Sequence, residues 1–597
     1  MNRILEFLWI IIRLTVFWSA VCGFGQIARY YVRKSGCRIP VHFAGLLSLI
    51  VLSIPLSLMG IFSRPVLTAV LLIGALIRTA ALVRNRREYT RFEFPGIKWL
   101  ILLSVAFFIL ISNTMQASEP QTNPDALVTY AVQPDRWLSS GRIFYLEENI
   151  LSGLPLIGEI LASWPASLSQ SRTDQLSILQ VFQMSMLLLS AYAAWNILGK
   201  GKNGLLVTVI ACMATSMLAG WASLPKIEMT VLYFSTLAIC MMYRGYITEN
   251  GKFDPVPFLA MGLALGTKLT AYVLLPSFLL LVLSVPVYRK YRSMLAWIAI
   301  LAIVPLSFAV RTTLHTGTPF YPYPVPFFEA DEDHLLLEVP RMTELARMNA
   351  DPNDQLVNTE PEPLYRNVSE LVSSWGLPAI FFLMGIISLA IRRKLSLALL
   401  PLIALLTYCI IASFAFNPLR WGAKYAFLMS PFMAAAGIRW TEEQGFQRIS
   451  FYAFLLAAAL SASLYPRLRY VAAFPGMSSS LDFRPPNTVA VKALHEWCNE
   501  NLPEGSRLLS IWKRERYFSD HAVIVLENHP IGRRLFLADE LEEEMELLQR
   551  MNADYIYFQS SDPMPADLES CIQYLHSGRY EYVTEVSGYT LCRIIYE

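Results

Sequence analysis

Lys98-Trp99-Leu100-Ile101-Leu102-Leu103-Ser104-Val105-Ala106-Phe107-Phe108-Ile109-Leu110-Ile111-Ser112 is followed shortly by Asn123-Pro124-Asp125-Ala126-Leu127-Val128-Thr129-Tyr130. The first run has the composition of a membrane span, which takes about 20 mostly apolar residues. The second puts a carboxylate just past the end of that span, where water, headgroups and a lipid-borne substrate can meet. The rest of the chain agrees with a membrane setting. Residues of the AVILMFWYC set make up 55% of the 597, charged residues only 16%, and the mean hydropathy is +0.43. Average soluble proteins carry about 25% charged residues, so a soluble enzyme of this length would lack the charge to cover its surface. The 49 Lys and Arg against 46 Asp and Glu leave +3, which excludes a strongly basic nucleic-acid binder. Eight Cys in such a length are no disulfide framework.

Candidate spans fall at 4–22, 42–62, 65–83, 98–115, 177–197, 204–220, 225–243, 255–268, 270–287, 293–310, 376–391, 395–414, 422–438 and 449–465, about fourteen in all. The pair around 255–287 is the weakest, because each half is short. Basic residues mark the cytoplasmic side. They gather at Arg29, Arg33, Lys34 and Arg38; at Arg84, Arg86, Arg87 and Arg91; and at Lys200 and Lys202. Further sets are Arg244 with Lys252, Arg289-Lys290-Tyr291-Arg292, Arg392-Arg393-Lys394, and Arg439 with Arg448. Two spans separate each cluster from the next, so all can be cytoplasmic at once. Segments 116–176, 311–375 and 466–597 then lie outside. Arg13 interrupts the first apolar run and no small-residue cleavage site follows, so a retained first span is expected, with its N-terminus outside.

In the first outer segment, Trp137 and Trp164 suit an interfacial belt, and Gly153-Leu154-Pro155-Leu156-Ile157-Gly158-Glu159-Ile160-Leu161 suits a helix lying along the interface. Taken alone, Asn123-Pro124-Asp125 is also good turn chemistry. From about Pro486 the chain reads as a soluble α/β unit: a helix over 489–501, strands at 507–512 and 522–526, an acidic helix over 539–551, a strand at 554–558, and a closing hairpin over 580–596. No phosphate loop or metal-spaced set occurs in it. Cys498, Cys571 and Cys592 allow one disulfide. The expected role of the unit is to cap the outer face or contact the acceptor.

The order of motifs carries a resemblance. Asp125-Ala126-Leu127 with Tyr130, then Trp137-Leu138 with Gly141-Arg142-Ile143, then Leu154-Pro155-Leu156-Ile157-Gly158-Glu159, resembles the first outer loop of bacterial polytopic glycosyltransferases of the GT-C superfamily, relatives of the protein O-mannosyltransferases and aminoarabinose transferases. Lys226-Ile227-Glu228 is similar to the family's Lys-x-Asp element, and Gly262 to Thr270 to its glycine-rich Lys helix. Thr316-Gly317-Thr318-Pro319-Phe320-Tyr321-Pro322 is similar to its Gly-Asn-Pro-x-Tyr-Pro segment. Lys424-Tyr425, four residues after Arg420, lies where many members have Arg-Tyr. The resemblance covers 98–465, leaving 1–97 as an N-terminal three-span addition and 466–597 as the cap domain. The sequence departs from the pattern at Ala131, where many members have His, at Glu228 and at Thr318.

The resemblance implies a mainly α, polytopic GT-C fold and an enzyme of the cell inner membrane. Its donor would be a polyprenyl-phosphate-linked sugar and its acceptor a glycan, lipid or protein, with membrane lipids as neighbours and transfer at the outer face. Leaving-group phosphate needs fixed cations, and an attacking hydroxyl needs a base. Asp125 is the expected base, with inversion at the anomeric carbon. Lys268, Arg420 and Lys424 are the expected phosphate ligands, with Lys226, Arg311 and His315 behind them and Tyr130 as a further substrate-binding residue. Charges in or near the membrane are costly and usually paired or functional, yet each has a plainer reading. Lys226 can pair with Glu228, Arg420 and Lys424 can snorkel, and Lys268, lacking an acidic neighbour in sequence, is a phosphate ligand or a helix-end anchor. Glu159 is a second carboxylate candidate for the substrate site, but on an interfacial helix a solvent-facing Glu is the expectation adopted.

Glu329, Asp331, Glu332, Asp333 and His334 could attract a divalent cation; a solvated loop is the expectation, with no metal or other cofactor. An O-antigen ligase or polymerase is the nearest enzymatic rival, although the late outer loop containing Arg341 and Arg347 is mainly acidic. A transporter or flippase of lipid-linked sugars is the rival from another class, and would be expected to show internal repeats, of which none is evident. A scaffold subunit retaining the fold without activity is the third.

Overall fold

Apolar runs become helices because backbone in lipid must satisfy its hydrogen bonds internally. The computed structural model describes residues 3–33, 39–84, 97–118, 127, 130–146, 149–198, 202–214, 216–247, 253–319, 328, 430–443, 471–473, 486–510, 516–525, 529, 531, 541–559 and 579–596. The expected spans up to 310 appear as α1 (Arg3–Arg33), α2 (Val41–Leu58), α3 (Arg64–Arg84), α4 (Ile97–Ala117), α7 (Arg172–Leu198), α8 (Lys202–Ala214), α9 (Ser216–Ala222), α10 (Glu228–Ile247), α11 (Val256–Leu265), α12 (Leu275–Leu283) and α13 (Tyr291–Thr316). Short α5 (Val132–Ser140) and α6 (Ile157–Ala166) lie between α4 and α7, and α14 (Ser430–Glu443) follows later. Among the described residues, α1, α2, α3, α7 and α13 are long and apolar enough to cross a membrane. Expected spans 376–391, 395–414 and 449–465 lie outside the described residues, as does the first part of 422–438.

Two expectations change. The run 204–220 is divided between α8 and α9. The pair 255–268 and 270–287, expected as two spans, forms helices of 10 and 9 residues. At about 1.5 Å per residue, each reaches only half of a hydrocarbon core about 30 Å thick. Gly266-Thr267-Lys268 ends α11, Leu269–Leu274 winds as a 3-10 helix, and a proline in the first turn of α12 starts a new ladder.

One apolar core runs from α1 to α14. α7 is largely covered by its neighbours, whereas α3 and α13 leave most of their surface bare, as lipid-facing helices do. The first three helices approach backbone to backbone: a Cβ on Gly23 would stand 2.0 Å from the carbonyl oxygen of Gly74, the close contact that small residues permit between membrane helices. They also grip the body. The Arg13 guanidinium on α1 pairs with Asp174 on α7, and Trp164 on α6 donates to Ser53 Oγ on α2 at 3.0 Å.

The C-terminal unit follows the expected order: α15 (Pro486–Asn501), β1 (Arg507–Ser510), β2 (Ala522–Val525), α16 (Leu541–Met551), β3 (Tyr555–Gln559), β4 (Tyr580–Val586) and β5 (Tyr589–Ile594). The sheet order is β2-β1-β3-β5-β4, parallel across β2-β1-β3 and antiparallel across β3-β5-β4. Alternation along each strand feeds two cores. Leu508, Val523, Tyr557 and Leu591 pack with α15, while Leu509, Ile524, Ile556 and Cys592 pack with α16. Cys498 and Cys592 are free thiols, and Cys571 lies outside the described residues.

This unit is docked on the helical body. Buried Tyr517 and Phe518 join the core of the helical domain. Arg136 on α5 donates to the carbonyls of Ser519, Asp520 and His521 at 3.1, 3.2 and 2.8 Å. Arg172, at the start of α7, reaches the Phe518 carbonyl at 2.9 Å and Asp520 at 2.9 Å. It shares buried Asp135 with Arg64 of α3, at 3.0 and 2.7 Å respectively.

Candidate active site

The break after α11 faces the start of α10 and the start of α6. Three short pieces of chain thus deliver three charged side chains to one place. Lys268 follows Gly266-Thr267, and its Nζ lies 2.6 Å from Oε1 of Glu228, the first residue of α10. Tyr130 places its ring 5.2 Å from the same Nζ, a cation–π distance. Glu159, in the first turn of α6, lies within electrostatic reach of Lys268, Glu228 and Arg311.

Close packing holds the arrangement. The Ile157 N–H donates to the Gly266 carbonyl at 3.0 Å. Gly158 lies so near the turn before α10 that a Cβ there would stand 2.6 Å from Ile227 Cγ2 and 3.0 Å from Thr267 Cγ2. On the other side, α13 supplies Arg311, whose Nη1 donates to the Ser152 carbonyl at 2.9 Å, and Thr312, which donates to the Gly153 carbonyl at 2.7 Å. The Arg311 guanidinium lies 5.5 Å from the Tyr145 ring centroid, and Tyr145 stacks on His315 at 4.5 Å.

Several polar atoms in this cluster lack hydrogen-bond partners among the described residues: Oε2 of Glu159, Oε2 of Glu228 and Nη2 of Arg311. Buried polar groups are ordinarily satisfied, so this cluster is suited to a ligand bearing both donors and acceptors. Burial pushes the Glu159 carboxyl up to about 8, its own backbone N–H and Lys268 opposing the rise. Among the described residues, the site at neutral pH therefore offers the cations Lys268 and Arg311, Glu228 paired with Lys268, and a Glu159 that keeps its proton. It can hold an anion and present a proton beside it.

The structure corrects three local expectations. Lys268 has an acidic neighbour after all, 40 positions earlier in sequence. Glu228 spends its Oε1 on Lys268, so the alternative in which it pairs with Lys226 is not what is seen. Glu159 is 2% exposed, not solvent-facing, because α6 packs against α2, α5 and α7 and its first turn sits against the turns before α10 and after α11. Of the remaining candidates, Lys226 is half-buried in the turn before α10, and His315 is exposed at the end of α13 with its ring against Tyr145. Asp125, Arg420 and Lys424 lie outside the described residues, as do Glu329, Asp331, Glu332, Asp333 and His334. The pairing of Lys268 with Glu228 and the position of Arg311 were missed as a unit. The available signal was that all three charges border apolar runs, where a lone charge is costly.

A similar arrangement of helices is known. The chain superimposes on the crystal structure of ArnT, the aminoarabinose transferase, from Cupriavidus metallidurans bound to undecaprenyl phosphate, with a TM-score of 0.51, covering 84% of this chain and 98% of that one. The chain shares the fold of this ArnT. Sequence identity over the match is 12%, so the likeness is one of architecture. The apo form of the same ArnT matches with a TM-score of 0.50 at 14% identity, covering 83% and 97%. No family model matches the sequence, and no curated protein matches it. Together with the described helices that are long and apolar enough to cross a membrane, this fold makes the chain a multi-pass membrane protein.

Proposed function

We propose that this protein is an integral-membrane glycosyltransferase that moves a sugar from a polyprenyl-phosphate carrier to a glycan, lipid or protein acceptor. The observation that carries this reading is the Lys268–Glu228–Glu159–Arg311 cluster, buried at a helix break inside a GT-C fold. ArnT of that fold was crystallised with undecaprenyl phosphate, and a lipid phosphate is the kind of anion that Lys268 and Arg311 can hold. Fixed cations stabilise charge developing on a leaving phosphate without reorganising. The basic clusters between spans are the support for placing the reaction at the outer face of the bacterial inner membrane.

In this mechanism Asp125 accepts the proton of the acceptor hydroxyl, whose oxygen attacks the anomeric carbon with inversion. Lys268 and Arg311 hold the phosphate, with Arg420 and Lys424 as further phosphate ligands, Tyr130 lies against Lys268, and Lys226 and His315 stand behind them as further binding residues. The scheme uses no metal or other cofactor and no nucleic acid. Its test is turnover by the purified full-length protein in lipid nanodiscs. A polyprenyl-phosphate sugar should yield free polyprenyl phosphate only when a suitable acceptor is supplied, and Asp125→Asn should lower the rate by about a hundredfold or more. Full turnover by a normally folded Asp125→Asn protein would remove the base assignment, and movement of intact donor across the bilayer without cleavage would replace the enzyme with a transporter.

A further inference from the structure

Glu159 stands where an ordinary surface acid does not belong. It is almost fully buried, and its Oε2 has no hydrogen-bond partner among the described residues. An ionised carboxylate so placed is costly, and burial accordingly pushes its carboxyl up to about 8. The packing does not let it escape. The Ile157 to Gly266 hydrogen bond and the contact of Gly158 with Ile227 and Thr267 fix the first turn of α6 on the two turns that carry Glu228 and Lys268.

Among the described residues, three charged groups act on Glu159. Lys268 and Arg311 are cations and Glu228 is an anion, with Tyr130 alongside. Several charged groups on the other elements packed against α6 are engaged elsewhere. Asp135 of α5 is held by Arg64 of α3 and Arg172 of α7, and Asp174 of α7 by Arg13 of α1. His42 of α2 lies against Trp18 and Tyr192. With Glu159 neutral, the two cations and one anion among these described residues leave a surplus of one positive charge.

A sugar phosphodiester carries one negative charge, which that surplus matches. During transfer the bond between the anomeric carbon and the phosphate oxygen breaks with its electron pair on the oxygen. The acceptor oxygen bonds the sugar, and its proton passes to Asp125. The diester monoanion becomes a monoester, whose second ionisation lies near 6, so the charge on the phosphate grows beyond the fixed surplus. A hydrogen-bond donor already inside the site answers that growth, whereas a second carboxylate there would oppose it.

We propose that Glu159 is a catalytic residue that stays protonated in the resting site and donates a hydrogen bond to a phosphate oxygen of the lipid-linked donor. The assignment rests on the glycosyl-transfer reading above. It predicts that ionising Glu159 weakens binding of the lipid phosphate, and that an amide in its place, which donates but never ionises, does not.

The test measures affinity, without turnover, of the full-length protein in nanodiscs. The probe is the methyl ester of polyprenyl phosphate, which carries one fixed charge across about pH 6 to 9.5. Wild-type affinity should fall on the order of tenfold over the alkaline part of that range. Glu159→Gln should bind within about threefold of wild type at pH 7 and lose the alkaline fall. Equal pH slopes in the two proteins, or a flat wild-type profile with tight binding, overturn the Glu159 assignment and leave the transfer reading standing. If the slopes differ only with the sugar-bearing donor and not with the methyl ester, Glu159 serves a sugar hydroxyl and the phosphate assignment falls. Absence of binding by wild type at every pH, to either probe, removes the lipid-phosphate site itself, and the assignment with it.

Discussion

Breaking the Lys268–Glu228 pair from each side in turn should have unequal costs. The pair has an Nζ to Oε1 distance of 2.6 Å, with side chains 18% and 4% exposed for Lys268 and Glu228. Lys268→Met leaves Glu228 as a buried carboxylate with neither oxygen engaged, which should cost about 3–5 kcal/mol. Glu228→Gln leaves a cation that keeps some access to water and the Tyr130 ring at 5.2 Å, so its cost should be smaller, about 2 kcal/mol. The double variant removes both charges and should cost less than the sum of the single ones, leaving a coupling of about 2 kcal/mol. Denaturant midpoints in mixed micelles, followed by tryptophan fluorescence, give the four free energies of the cycle. Additivity to within about 0.5 kcal/mol would show that the two charges do not interact and would refute the geometry on which the site is built. Donor affinity supplies an independent axis: Lys268→Met should lose it, whereas Glu228→Gln should retain or improve it, because removing the anion frees the cation for phosphate.

Other perturbations test separate parts of the same argument. The Glu159 carboxyl rises from 4.5 unfolded to about 8 folded, so its burial penalty is absent below the first value and complete above the second. Glu159→Gln should therefore be more stable than wild type by up to about 5 kcal/mol at pH 8; the difference should close on acidification, and a pH-independent difference would contradict the burial. Gly158→Ala forces a Cβ onto Ile227 and should cost about 1–3 kcal/mol and weaken donor binding. Adding Ile227→Ala should restore much of the binding, and no rescue would mean that the contact does not position Glu159. Arg136→Ala removes three hydrogen bonds to the 519–521 carbonyls. It should loosen docking by about 2–4 kcal/mol, seen as faster hydrogen exchange at 516–525 with β3 to β5 unchanged.

What was readable from sequence follows from what each signal measures. Hydropathy finds α2, α3 and α7 closely because their apolar runs come close to or exceed the bilayer requirement whatever surrounds them, whereas α1 runs on to Arg33, past the expected end at 22, through Arg29 of the first basic cluster. The C-terminal unit was equally open, since strand alternation at Leu508-Leu509 and Val523-Ile524 and the Ser587-Gly588 turn are local. At that turn both residues have positive φ, 52° and 82°, which suits a two-residue hairpin. The interrupted pair α11 and α12 was harder. A window average counts Leu and Val on either side of Gly266-Thr267-Lys268 but not the loss of ladder hydrogen bonds there. The site's pairings were harder still. Lys268 and Glu228 meet across 40 residues, and α6 packs against α2, α5 and α7, so reading it as an interfacial helix exposes a Glu159 that the fold buries.

Asp135 links these parts. It sits on α5, which begins just past Tyr130, and it is held at once by Arg64 from α3 and by Arg172. Arg172 in turn holds Asp520 of the C-terminal unit, and Tyr517 donates to the Arg172 carbonyl at 2.8 Å. The start of α5, just past the Lys268 ring contact, is thus fixed from the N-terminal helices on one side and the C-terminal unit on the other. Side chains held by buried, mutually satisfied networks keep one geometry because any rotation strands a charge. Tyr130 can remain over Lys268 only while α5 keeps its place. Regions that appear in sequence as an addition and a cap therefore share in shaping the site, and variants at Arg64 or Arg172 should alter donor affinity although neither touches the Lys268 cluster.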